Sequence, residues 1–197
     1  MAVSRLSQST LQNAFSKYNS VWDGVSAVGA MDAINSIILA SQQDTIDFLN
    51  IPQTYTHLQI RYVAQCVSSA TAVENLAFRF NFDTGANYTR HYLDGNGTSA
   101  TSGSNTGVTQ VYALGAQTSG TYPNAFGVGI LDILDYTNTN KYKTTRSLSG
   151  ADFNGTGSEM QLVSGLWLNT AAITSINIRA LDGRLAPYSS FSLYGIR

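Results

Sequence analysis

Two carboxylates facing each other across a sugar are what glycoside hydrolysis requires, and Asp132 and Asp135 are the close acidic pair in the strand-like stretch around 127–135. Successive side chains on a strand alternate between faces, so a separation of three sends the two carboxyls to opposite sides. No acid–base pair is expected from them. His57 and His91 each sit in an alternating run and are read as surface or rim histidines, too few for most metal sites. Cys66, the one cysteine, lies in an apolar run. It is expected as a small buried hydrophobe, and a single thiol excludes an internal disulfide framework or a thiolate cluster. No Gly-x-Ser-x-Gly elbow and no Gly-Lys-Ser/Thr phosphate loop occurs. Asp94-Gly95-Asn96-Gly97 lacks the alternating oxygen ligands and the closing glutamate of a calcium loop, and reads as a tight turn. No catalytic, cofactor-binding or metal residue is nominated, and a non-enzymatic role is expected.

Charged residues make up only 12% of the 197 positions, with a net charge of −1. Ser, Thr, Asn and Gln supply the polarity instead, a composition that suits β-strands. The densest basic run, Lys141 to Arg146, would split its charges between two faces of a strand, so nucleic-acid binding is not expected. The first residues lack a continuous apolar segment, from which no secretory signal is expected, and no apolar run is long enough for a membrane span.

Leu11, Ala14, Phe15, Tyr18 and Trp22 fall at i, i+3, i+4, i+7 and i+11, one helical stripe with Gly24 as its stop. Large apolar groups at the end of a chain must bury against the sandwich, against copies of the same helix or against another protein, and Leu11, Phe15, Tyr18 and Trp22 are the candidate partner-binding residues. Beyond a small-residue connector from Gly24 to Ala33 the pattern has a period of two: 45–48, 57–62, 76–82, 176–179 and 190–193 alternate. Gly127 to Leu134 is apolar on both faces and reads as a central strand covered on each side. Tyr88, Arg90 and Tyr92 share a strand face, a combination that also suits contact with a sugar. The stretch from Asp94 to Gly107 has no apolar anchor and is expected as an exposed, mobile loop. The expected architecture is all-β: a helical arm and connector over residues 1–33, then a jelly-roll-like β-sandwich over 34–197.

Three phrases carry a resemblance: Asn50 to Arg61 (NIPQTYTHLQIR), Tyr136 to Thr144 (YTNTNKYKT) and Tyr188 to Arg197 (YSSFSLYGIR). They resemble virion proteins of aquatic bacteriophages, including cyanophages, over about Val21 to Arg197. The resemblance implies a structural part of the particle surface, a capsid decoration or a tail or fibre component, assembled in the host cytoplasm. It transfers no functional residue. Other virion proteins, met through the N-terminal segment, and a homo-oligomer, with a trimer favoured, are the expected partners. The alternative is a module that binds a host receptor or surface glycan.

Overall fold

The computed structural model describes residues 30–67, 73–118, 123–152 and 158–197. The helical stripe with Leu11, Phe15, Tyr18 and Trp22 lies outside them. The described residues form strands and turns throughout: β1 (Met31–Ile38), β2 (Thr45–Phe48), β3 (His57–Val67), β4 (Val73–Phe80), β5 (Tyr88–Gly95), β6 (Ala100–Val108), β7 (Val111–Thr118), β8 (Gly127–Leu134), β9 (Lys143–Asp152), β10 (Ser158–Trp167), β11 (Ile176–Ala180), β12 (Arg184–Leu185) and β13 (Ser190–Ile196). The sheet therefore begins at Met31, three residues ahead of the boundary expected at 34.

The strands make two antiparallel sheets. The larger runs β1-β13-β3-β8-β9-β10-β5-β6 and the smaller β2-β11-β4-β7. They meet where Ala64 to Cys66 of β3 pair in parallel with β7, and β7 packs across β8, β9 and β10. The pleat sends every second residue inward. Leu58, Ile60 and Tyr62 of β3, Leu131 and Ile133 of β8, Phe191 and Leu193 of β13 meet Leu76, Phe78 and Phe80 of β4 and Ile176 and Ile178 of β11 in one buried core. Cys66 is buried among them as expected, and burial, with Glu74 nearby, pushes its thiol pKa up.

Two polar devices pin the loops at one end. Asp83 accepts hydrogen bonds from the Trp167 indole at 2.7 Å, from Asn87 at 3.0 Å and from the Gly85 amide at 2.8 Å. The buried Lys143 ammonium donates to the carbonyls of Asn138, Lys141 and Thr170 at 2.5, 2.9 and 2.9 Å. Arg146, in the opposite phase of β9, is exposed, and Lys141 lies in the turn before β9 and pairs with Asp135, so the basic run is divided.

Three expectations need correction. The stretch from Asp94 to Gly107 is not a mobile loop. After a turn at Asn96–Ser99, whose Asn96 carboxamide oxygen accepts from the amides of Thr98 and Ser99, β6 pairs with β5 along its length. Backbone hydrogen bonding to β5 suffices to hold a strand whose own side chains are mostly exposed. The alternation through Phe82 stops at Phe80, because Asn81 and Phe82 turn into the left-handed region, with φ of 51° and 56°. The Asn81 carboxamide holds that turn by donating to the Ala172 carbonyl and accepting from the Thr174 and Ser175 amides. Finally, β8 is central between β3 and β9 but is covered on one side only: Val128, Ile130 and Leu134 are exposed.

Close approach decides one position in the core. Gly129 on β8 lies directly opposite Tyr62 on β3, and a Cβ there would run into the tyrosine ring and hydroxyl. Gly129→Ala is expected to lower stability by about 1–3 kcal/mol through overpacking, read as a fall in the midpoint of urea unfolding with an unchanged slope.

Candidate functional site

On β9 the usual amphipathic pattern is turned round. Its inward residues are Lys143, Thr145, Ser147, Ser149 and Ala151, all buried, while Leu148 points outward. The next two strands repeat the inversion at one end only, since Val163, Trp167 and Tyr88 also face inward. β10 and β5 turn Glu159, Gln161 and Asp94 inward, and Met160, Leu162 and Leu93 outward. Burial, then the neighbouring Asp94, raises the pKa of the Glu159 carboxyl. The small hydroxyl side chains of β9 let β7 pack closely over it, yet the Thr145 and Ser147 hydroxyls are buried without a hydrogen-bond partner. Each such hydroxyl costs on the order of 1–3 kcal/mol. Thr145→Val is therefore expected to raise stability by about 1 kcal/mol, measurable as a higher thermal midpoint.

The outward side chains line up because the register puts them directly opposite one another. One row runs Arg61, Ile130, Leu148, Leu162 and Leu93 across β3, β8, β9, β10 and β5. The row beside it runs Val63, Val128, Gly150, Met160 and Gly95. Leu148 is 54% exposed, Met160 61%, Leu93 51% and Val128 52%. The surface is not flat. A groove of about 660 Å³ lies among Val63, Phe126, Val128, Ile130, Leu148 and Met160, and a second of about 370 Å³ among Leu93, Gly95, Ala100, Leu148, Met160 and Leu162. A contiguous aliphatic patch on this scale marks an interaction surface.

A polar row borders the patch. Asp132 accepts from Arg146 at 2.7 Å and from Gln59 at 2.7 Å, and Ser164 and the exposed His91 continue that row. Asp135 sits in the turn after β8, where it pairs with Lys141 and lies 3.5 Å from His57. Its partners hold its carboxyl below the usual range, the Lys141 hydrogen bond chief among them. The two aspartates therefore serve separate ion pairs facing different ways. The His57 Nδ1 accepts the Asp135 amide at 2.9 Å, which makes it a rim histidine that caps a turn. Among the described residues no group of three or more His, Cys, Asp or Glu could hold a metal.

On the opposite side of β5, Tyr88, Arg90 and Tyr92 do share a face. The Arg90 guanidinium lies 5.2 Å from the Tyr92 ring centroid and 4.3 Å from that of Tyr112, and donates to Asn105 at 2.9 Å.

None of the outward apolar residues Leu93, Leu148, Met160 and Leu162 was singled out by sequence reasoning. The available signal was that Leu148 follows Arg146 in the same phase, and that Met160 and Leu162 occupy the phase opposite buried Val163 and Trp167. Compared with known protein families, curated proteins and solved structures, the chain matches no family, no curated protein and no solved structure.

Proposed function

We propose that the chain is a structural component of a bacteriophage particle, a capsid decoration or a tail or fibre part. The observation that carries this reading is the bare aliphatic face of the larger sheet, which on β9 lies opposite a polar inner row. A protein that worked alone would gain by exchanging those positions. A part of an assembly keeps them for a neighbour.

The strand order lends further support, because it suits a jelly roll, an architecture used by viral capsid and lectin domains. Take β2 to β8 and β11 in chain order as its eight strands. The smaller sheet then runs first, eighth, third, sixth, and the larger runs second, seventh, fourth, fifth, with the β9–β10 hairpin inserted between β8 and β5. In this reading β1, β12 and β13 extend the larger sheet beyond β3. The resemblance of the three phrases points the same way. The N-terminal stripe of Leu11, Phe15, Tyr18 and Trp22 serves as an anchor to other virion proteins. Mass spectrometry of gradient-purified particles of the encoding phage tests the assignment. Many copies per particle are expected, whereas recovery only from the soluble lysate would refute it.

A second reading, a module that binds a host surface glycan, is favoured by the Tyr92, Arg90 and Tyr112 stack with Asn105 beside it. Aromatic faces and amides are what sugar recognition uses. Binding of the purified protein to host polysaccharide, lost in Tyr92→Ala, would favour it.

A further inference from the structure

The aliphatic face is self-complementary, and we propose that it pairs with the same face of a second copy about a two-fold axis. This rests on reading the face as an assembly surface and names its partner. Place the axis in the plane between two facing sheets, at right angles to β9 and crossing it between Leu148 and Gly150. Rotation about it lays each strand antiparallel over its own copy and exchanges the two rows. The row Val128, Gly150, Met160, Gly95 then covers the row Ile130, Leu148, Leu162, Leu93 of the second copy.

On β9 and β5 the exchange sets large residues against vacant positions. Leu148 comes over Gly150 of the second copy and Leu93 over Gly95, each contact occurring twice. Those positions are open: a Cβ at Gly95 would meet nothing within 4 Å, and at Gly150 only the Glu159 carbonyl oxygen at 3.4 Å. The two grooves adjoin these glycines, and Leu148 and Met160 border both. Charge follows the same symmetry. The outward residues of β9 read Arg146, Leu148, Gly150, Asp152, so rotation brings the exposed Arg146 of each copy towards the exposed Asp152 of the other. Packed sheets are rotated by about 30° from alignment, so the match is closest on β9, where the axis crosses between Leu148 and Gly150.

The extent is adequate. The exposed aliphatic side chains of the two rows present on the order of 600 Å², at the upper end of what a monomer leaves bare. With their polar rim they approach the roughly 800 Å² per partner of a standard stable interface. This arrangement is two-fold, in place of the trimer expected for symmetric particle parts.

Sedimentation analysis of the purified full chain tests the proposal. The wild type is expected as a dimer. Leu148→Asp should weaken it at least about 30-fold, as loss of a central contact does, with an unchanged far-ultraviolet circular dichroism spectrum. A covalent test fixes the register: Leu148→Cys and Gly150→Cys chains, mixed under mild oxidation, should form a disulfide-linked heterodimer in excess of either homodimer. A trimer, or a dimer that Leu148→Asp leaves intact, would overturn the pairing. So would a monomeric wild type, which would leave the face to the chain's first 29 residues or to a different protein. The abundance of the chain in purified particles is measured separately, so failure of the pairing and failure of the virion reading are distinguishable.

Discussion

Trp167→Ala is expected to lower stability by about 3–5 kcal/mol, the usual cost of emptying a large aromatic site in a core. For a domain of this size that is a fall of roughly 10 °C or more in the thermal midpoint. The indole is 1% exposed, lies 5.7 Å from the Phe80 ring and stacks at 6.3 Å on Tyr88. Its N–H donates to Asp83, which also organises the turn through Gly85 and Asn87. The substitution therefore opens a cavity and removes a donor from a carboxylate at once. Trp167→Phe should cost less, leaving most of the packing but none of the hydrogen bond. The same carboxylate gives stability a pH dependence. Burial works to raise the Asp83 pKa, but the indole, Asn87 and Gly85 donors outweigh it and hold the group below its ordinary value of 3.8. A depressed folded pKa means that the contribution is fully present above about pH 4 and is lost as pH falls through the folded value. Urea midpoints across the acid range should fall more steeply for the wild type than for Asp83→Asn.

The second large effect concerns Lys143. Its ammonium is buried against three carbonyls, joining the β8–β9 turn to the segment after β10. Burial, then Lys141, lowers its pKa from the ordinary 10.5, so at neutral pH the charge is held at some cost. Removing it is costlier still, because the three carbonyls would lose their shared donor. Lys143→Met, which keeps the length and apolar stem, is expected to destabilise by about 2–4 kcal/mol. Urea unfolding of the variant beside the wild type checks this, and a neutral result would mean that the carbonyls find other donors. In contrast, Lys141→Met, at an exposed ion pair, should change stability by less than about 1 kcal/mol.

The strands that sequence reasoning placed well are those whose apolar side faces the core. In β3 and β4, Leu58, Ile60, Leu76 and Phe78 alternate with polar residues and are buried. β6 was missed because its residues carry no apolar phase, and its hydrogen bonds to β5 are made by backbone atoms, which leave no mark on side-chain type. β8 was half legible: its apolar residues on both faces announced two contacts, but periodicity cannot distinguish a contact inside the molecule from one with another molecule. β9 is the limiting case. With Thr145, Ser147 and Ser149 inside and Leu148 outside, hydrophobic alternation points to the wrong face. The face emerges only when the register brings Ile130, Leu148, Leu162 and Leu93 into one line. The candidate site was therefore illegible for the same reason that it is informative.

A cryo-EM map of intact particles of the phage proposed to encode the chain tests the central claim most directly. Density for this domain is expected in repeated, symmetry-related copies on the particle surface, with the outer face of β8, β9, β10 and β5 covered by protein. A map that holds no density for the domain, or that leaves this face in open solvent, would contradict it.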